Sequence, residues 1–331
     1  MTLITGGSGF LGRYIARRLL AKGEQVILFN RSAPPADLDQ AQWFKGDIND
    51  TQALTTAMRG CDTVFHTAAV AGVWGSEDLF HTVNVLGTQS VLDACKTNKV
   101  KKLIYTSSPS VVFGTEAIEN GDEDLPYPES YLTTYPKSKA EGERLVLIAN
   151  SSDFKTCSLR PHLIWGPEDQ HLIPRLIHKA KSGRLRQVGK GDNLVDLTYV
   201  DNAAKAHIQA SEALDSTGRP AGKAYFISDP APVNLWNWIE HLLKESSIPF
   251  KRRALSYNTA KCIGSVLEII YRGLKLSGEP PMTRFVAAQL AKAHYFNNDA
   301  ARNDFNYAPE INNEQGLVAT LKWLRDTKQV K

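Results

Sequence analysis

Residues 5–12 read Thr-Gly-Gly-Ser-Gly-Phe-Leu-Gly, directly after the apolar pair Leu3–Ile4 and at the start of a helical pattern over Phe10–Ala21. No other stretch constrains the fold as strongly. Gly6, Gly9 and Gly12 fall as GxxGxxG. A turn without Cβ atoms lets a pyrophosphate approach the backbone, and the helix behind it offers free N–H groups and a positive dipole end. Gly12 would let that helix pack closely on the strand. A glycine triplet can be only a turn, so its place between strand and helix is what gives it weight as a dinucleotide site.

The stretches that follow alternate. Strand candidates are Leu3–Ile4, Val26–Phe29, Thr63–His66, Lys102–Thr106 and Cys157–Leu159, with a further short strand ahead of Asp47. Helical patterns occupy Phe10–Ala21, Thr51–Met58, Leu79–Lys96 and Lys137–Asn150. Short apolar strands alternating with helices predict an α/β fold, a doubly wound parallel sheet of the Rossmann type. From about Trp165 the pattern loosens, and Tyr199–Leu214 reads as a helix. The expected division is a dinucleotide-binding domain over 1–165, with 196–214 packing back on it, and a smaller, mixed substrate-binding lobe over 166–331.

Composition excludes more than it assigns. The 331 residues carry 39 basic and 35 acidic side chains, a net charge of +4, with no basic stripe interleaved with aromatics. Nucleic acid is therefore not an expected partner. Cysteines at 61, 95, 157 and 262 form no CxxC pair and have no His cluster beside them. Neither a metal site nor a disulfide framework is expected, and lone thiols suit a reducing cytoplasm. Met1–Thr5 opens on a strand rather than on a signal peptide, and no apolar run reaches the ~18 residues of a membrane span.

The end of the second strand bears on which dinucleotide fits. A carboxylate there would bind the ribose 2′-hydroxyl of NAD. This chain has Asn30-Arg31-Ser32. Arg31 could pair with the 2′-phosphate of NADP(H), the expected cofactor; stacking on adenine is its alternative role. Asp47-Ile48 stands where an acid contacts the adenine amino group, or where Asp47 caps the helix before Thr51.

Tyr135-Pro136-Lys137-Ser138-Lys139 sets Tyr135 and Lys139 one turn apart on one helix face. A phenol titrates near ~10, and an adjacent ammonium lowers that value. The rival pairs Tyr127/Tyr131 and Tyr131/Tyr135 lack the lysine. Thr106-Ser107-Ser108 ends the fifth strand, where parallel strands face the ligand crevice. Ser108, in preference to Ser107, would hold a substrate oxygen beside Tyr135; a turn cap is its other role. Asn84 lies inside a helical pattern, where asparagine is unfavourable. It is expected to bond backbone or water and steady Lys139.

TGGSGFLG at 5–12, TSSPS at 106–110, YPKSK at 135–139, LRPHLIWGP at 159–167 and DLTYVDNAAKAH at 196–207 resemble the extended short-chain dehydrogenase/reductases, in their 3β-hydroxysteroid dehydrogenase-like branch. Within it, AGVWGS at 71–76, WGPEDQHLIPRL at 165–176 and NLVDLTYVDNA at 193–203 look most like the bacterial 2-alkyl-3-oxoalkanoate reductases of long-chain olefin biosynthesis. The resemblance implies NADPH-dependent reduction of a lipid-like β-keto acid, with a β-lactone synthetase and a decarboxylase as pathway partners. It assigns Tyr135 as acid/base, Lys139 as its modulator and ribose ligand, and Ser108 as carbonyl holder, with Pro161 and Leu163 lining the nicotinamide. The expected cofactor contacts also include Ser8, Phe10, Leu11, Ala68, Ala69 and Thr106, and a homodimer is expected. One departure is Val112-Phe113-Gly114, where related enzymes carry Tyr-Gly.

Rival readings are a 3β-hydroxysteroid or sterol-4-carboxylate dehydrogenase, a nucleotide-sugar epimerase, and a module that senses NADP without turnover. His162, His171 and Arg175 border the expected site; structural roles are expected of them, with pairing to a substrate carboxylate as the alternative. Over 258–276, Ile263, Val266, Leu267, Ile270 and Leu274 form an amphipathic helical pattern. It is expected to cover the protein's own core. Peripheral membrane contact, or a lid over a lipid tunnel, is the alternative, and flotation with anionic vesicles separates them.

Overall fold

The computed structural model describes residues 1–330. Seven parallel strands form the main sheet: β1 (Thr2–Thr5), β2 (Val26–Asn30), β3 (Gln42–Lys45), β4 (Thr63–His66), β5 (Lys102–Thr106), β6 (Lys155–Pro161) and β7 (Lys223–Ile227), in the order β7-β6-β5-β4-β1-β2-β3. The fold is thus the doubly wound α/β class. Neighbouring residues within the strands serve opposite cores, as a pleat requires. Ile4, Leu28, Phe65 and Ile104 pack with the helices α1 (Phe10–Ala21) and Val200–Ser216, whereas Leu3, Ile27, Val64 and Leu103 pack against Leu54, Met58, Val91 and Cys95. Both faces being covered, the inner strands send apolar residues to both sides rather than alternating apolar with polar. The strand order reverses between β1 and β4, which opens a crevice at their carboxyl ends.

The sequence pattern did not mark β7. It lies beyond the helix Val200–Ser216, and only its parallel pairing with β6 makes KAYFI a sheet strand. Conversely, Ile118–Gly121 leaves the first half to join Val233–Asn234, Leu194–Val195 and His294–Phe296 in a mixed four-stranded sheet. The lobes therefore exchange segments. A separate core around Trp165, Trp236, Trp238 and Leu242 supports the second lobe.

The helix Tyr257–Gly273 differs from its expected orientation. It buries Ala260, Gly264 and Glu268, and it turns Ile263, Val266, Ile269 and Ile270 outward, with Ile269 72% exposed. Close approach decides this. A Cβ at Gly264 would lie 2.6 Å from the Thr283 carbonyl carbon, and the Glu268 carboxylate accepts from the Arg284 backbone N–H at 2.7 Å and its Nε at 2.8 Å. Small residues and a half-buried ion pair, not the apolar stripe, face the neighbouring helix Arg284–Ala291. Among the described residues no helix is long and apolar enough to cross a membrane.

Candidate active-site cleft

The glycine loop closes on itself before α1 begins. Gly6 has φ +68°, donates to the Phe29 carbonyl at 2.9 Å, and accepts from the Gly9 N–H at 2.8 Å. A Cβ at Gly12 would lie 2.3 Å from the Gly6 carbonyl oxygen, and one at Gly6 would lie 2.9 Å from the Ala68 backbone. Both positions therefore require glycine. No side chain caps Gly9 and no acid occupies the first turn of α1, so its leading N–H groups face the cleft unpaired by side chains. Arg13 donates to the Ser8 carbonyl at 2.8 Å and to Glu168 at 2.8 Å, and Arg17 donates to Glu168 at 2.9 Å. Glu168, which sequence reasoning missed, thus ties the loop after Trp165 to the glycine turn.

The expected site residues fall along two cavities that meet at Gly9 and Ala69. The smaller, about 210 Å³, is lined by Gly6, Ser8, Asn30, Arg31, Ser32, Asp47, Ile48 and Ala68. The larger, about 400 Å³, takes Phe10, Leu11, Thr106, Ser108, Tyr135, Lys139, Pro161 and Leu163. Gly12 and Asn84 line neither. Arg31 is 78% exposed in its side chain, and its Nη1 stands 3.9 Å from Asp47. Asp47 closes a turn by accepting from the Asn49 N–H at 3.0 Å, whereas Asp50 caps the helix Thr51–Ala57 through the Ala53 N–H at 2.9 Å. Capping is therefore not the role of Asp47. Asn30 donates to the Ser32 carbonyl, and its Oδ1 is buried without a partner.

Tyr135 and Lys139 lie in the first turns of the helix Thr134–Ile148, at the larger cavity. The Lys139 Nζ donates to the Thr106 carbonyl at 2.5 Å and stands 4.1 Å over the Tyr105 ring. Burial brings Lys139 down to about 7, and Glu143, one turn on, opposes that shift. Glu143 is itself held in a buried pair with Arg160 at 2.7 Å. Burial also raises the Tyr135 phenol above its ordinary value, and the Ser108 hydroxyl works against the rise. Lys139 itself is engaged by the Thr106 carbonyl.

Ser108 does two jobs. Its Oγ accepts from the Ser110 N–H at 3.2 Å and from the Ser110 hydroxyl at 2.9 Å, capping the turn Pro109–Val111. That leaves its own proton to donate. Ser107 also lines the cavity, with a buried hydroxyl that has no partner. Asn84 sits in a π-helical turn, Thr82–Leu86, a local irregularity often found at functional sites. Its amide pairs with both backbone groups of Val70, at 2.9 and 3.0 Å, and donates to Ser138 at 3.0 Å. Asn84 thus joins the loop after β4 to the residue beside Lys139 without touching Lys139.

The far wall comes from distant sequence. Phe113, Phe285 and Phe296 line it, together with His162 and His294. His294 Nε2 meets the Gln289 carbonyl at 2.9 Å, and His294 Nδ1 meets His162 Nε2 at 3.2 Å. Burial holds His294 down to about 4 and His162 well below its ordinary value. Neither supplies a cation. Arg175 is paired with Glu279 and lines a neighbouring cavity instead. Of the three residues expected to border the site, only the exposed His171 reaches this cavity free of such ties.

Residues 3–256 match the 3-beta hydroxysteroid dehydrogenase/isomerase family. A 2-alkyl-3-oxoalkanoate reductase of Stenotrophomonas maltophilia is 45% identical over 318 residues, 95% of this chain and 96% of that protein. A sterol-4-alpha-carboxylate 3-dehydrogenase (decarboxylating) of Mus musculus is 34% identical over 324 residues, 96% of this chain and 89% of that protein. The crystal structure of gox2253 superposes with a TM-score of 0.82 at 25% identity, covering 100% of this chain and 99% of that one. UDP-glucuronic acid 4-epimerase from Bacillus cereus shares the fold, with a TM-score of 0.75 at 23% identity over 98% and 99% of the two chains. With a matched family spanning most of its length and relatives of this identity, the chain belongs to the 3-beta hydroxysteroid dehydrogenase/isomerase family, a branch of the extended short-chain oxidoreductases.

Proposed function

We propose that this protein is an NADP(H)-dependent reductase that converts a 2-alkyl-3-oxoalkanoate to the 2-alkyl-3-hydroxyalkanoate. One observation carries the reading: Tyr135 and Ser108 line one cavity, and that cavity meets the glycine-loop groove at Gly9 and Ala69. The groove suits a dinucleotide, since Gly6 and Gly12 leave no space for a Cβ and the N–H groups opening α1 are unpaired by side chains. When bound, the nicotinamide supplies the hydride that reaches the carbonyl carbon. Ser108 donates a hydrogen bond to the carbonyl oxygen, where negative charge develops, and Tyr135 delivers its proton to that oxygen. Lys139, anchored at Thr106, lies within the same cavity to hold a ribose hydroxyl and to favour the phenolate left behind.

The substrate class rests on the two 2-alkyl-3-oxoalkanoate reductases, at 45% and 42% identity. Olefin-pathway enzymes, a β-lactone synthetase and a decarboxylase, would be its partners. The 34% identity to sterol-4-alpha-carboxylate 3-dehydrogenases supports a second reading, oxidation at a sterol 3-carbinol. NADPH oxidation against a long 2-alkyl-3-oxo acid, a 3-ketosteroid and a nucleotide sugar separates them. Turnover of the oxo acid is expected; turnover of only the steroid or the sugar overturns the reading. Binding of NADPH with no turnover of any carbonyl would mark a sensing module.

The preference for NADP rests on Arg31 and on the lack of a carboxylate at the end of β2. Losing a charge-assisted hydrogen bond costs about 1.5–3 kcal/mol, so Arg31→Ala should raise the KM for NADPH by about 10- to 100-fold and leave that for NADH nearly unchanged. Equal effects on both cofactors would assign Arg31 to the adenine instead.

A further inference from the structure

A second cavity, of about 240 Å³, adjoins the reaction cavity. Leu176, Leu235, Trp238, Ile239 and Val286 line it and not the first. They come from three helices, Leu172–Lys181, Leu235–Glu245 and Arg284–Ala291. Leu163, Phe285, Gln289 and His294 line both cavities, so the two share a wall.

The junction suits a hydrocarbon. The His294 ring is spent on its bonds to Gln289 and His162 and is held neutral, so it asks nothing of a passing chain. Leu163 has φ +42°, a left-handed conformation that a bulky apolar residue seldom adopts. Strain of this kind persists where the surroundings impose it, and it gathers at ligand sites. Here it falls just past the end of β6, where it turns the backbone at the meeting point of the two cavities. An apolar void within a core forfeits packing, whereas a dry apolar cavity takes up hydrocarbon. Cationic groups mark the solvent end, where Arg184 and Arg186 line the cavity beside Arg175 and Lys179. Arg175 pairs with Glu279, and Lys179 donates to the Pro281 carbonyl at 3.4 Å.

The geometry points to this second cavity as the seat of one alkyl chain of the substrate, entered past Phe285, with Trp238 and Ile239 limiting its length. This rests on the proposed reduction of a branched 3-oxo acid, and it adds where a chain lies and which residues choose its length.

The test uses Val286→Phe and Leu176→Phe, each of which fills the cavity from a different helix, and Ile239→Ala, which enlarges it. Folding is checked by thermal melting and by NADPH binding. Substrates are 2-alkyl-3-oxo acids whose chains lengthen from methyl. With wild type, kcat/KM should rise about 4-fold per methylene buried until the cavity is full. The two filling variants should level off at shorter chains while turning over the shortest substrate as wild type does. Ile239→Ala should level off at longer chains. Superimposable chain-length curves in all folded variants overturn the proposal and leave the reductase reading intact. If wild type reduces no 3-oxo acid, the reductase reading fails, and binding of a dansylated undecanoic acid still decides the cavity. Its Kd should then rise in the filling variants, and an unchanged Kd overturns the proposal.

Discussion

Tyr135→Phe should lower kcat by about 10³-fold or more while leaving the Kd for NADPH within about 3-fold of wild type, because only proton delivery and one oxyanion donor are removed. The phenylalanine ring keeps the packing against Phe80, whose ring centroid lies 6.1 Å away. Ser108 still donates to the carbonyl oxygen, so a residual rate remains. Single-turnover NADPH oxidation reads the chemical step, and fluorescence titration of NADPH reads binding. Turnover near the wild-type rate would remove Tyr135 from the proton path.

Lys139→Met carries a double expectation, lower turnover and higher stability. The buried ammonium titrates near 7 in the folded chain, against an ordinary value of 10.5. The unfolded chain therefore binds more protons between about pH 7 and 10.5, and wild-type stability rises with pH across that window. The cost of burying the charge is fully present below about pH 7. Removing the charge should stabilise the protein by about 2–4 kcal/mol at pH 6 and by little at pH 10, with the hydrogen bond to Thr106 offsetting part of the gain. Turnover should fall by about 10²-fold or more, as is usual when a strained functional group is relieved. Urea unfolding at the two pH values measures the first effect. A gain that does not change with pH, or no gain at all, would show that Lys139 is not held against its charge.

Much of the site was legible because its signals are short-ranged. A turn that must bring Gly6 under Ala68 and Gly12 against the Gly6 carbonyl admits only glycine, so the need appears in eight consecutive residues. The inner strands are buried on both faces and carry adjacent apolar pairs such as Leu3–Ile4 and Val64–Phe65. Tyr135 and Lys139 share a helix face by spacing alone. Other assignments turned on which of two near neighbours won. Asp50 rather than Asp47 caps the helix Thr51–Ala57, and either acid satisfies the local pattern.

What lies opposite Tyr135 and Lys139 was not legible. Phe285, Gln289, His294 and Phe296 reach the cavity from about 150 residues beyond Tyr135, and no local periodicity marks them. The outward apolar face of Tyr257–Gly273 follows from the closeness that Gly264 and the Glu268–Arg284 pair impose, a fact of packing and not of the helix itself. By itself the sequence determined the alternation of strands and helices behind the doubly wound sheet, though not its edge strand β7, and with it the glycine turn and the Tyr135–Lys139 spacing, since local apolar runs, backbone sterics and helical period encode these. Tertiary structure alone decided that Lys139 is anchored to Thr106 with its charge held down, that the Ser108 hydroxyl works against the rise of the Tyr135 phenol, and that an apolar chamber shares Leu163, Phe285, Gln289 and His294 with the larger cavity. Each of these depends on burial and on contacts between segments far apart in the chain, which only the packed fold brings together.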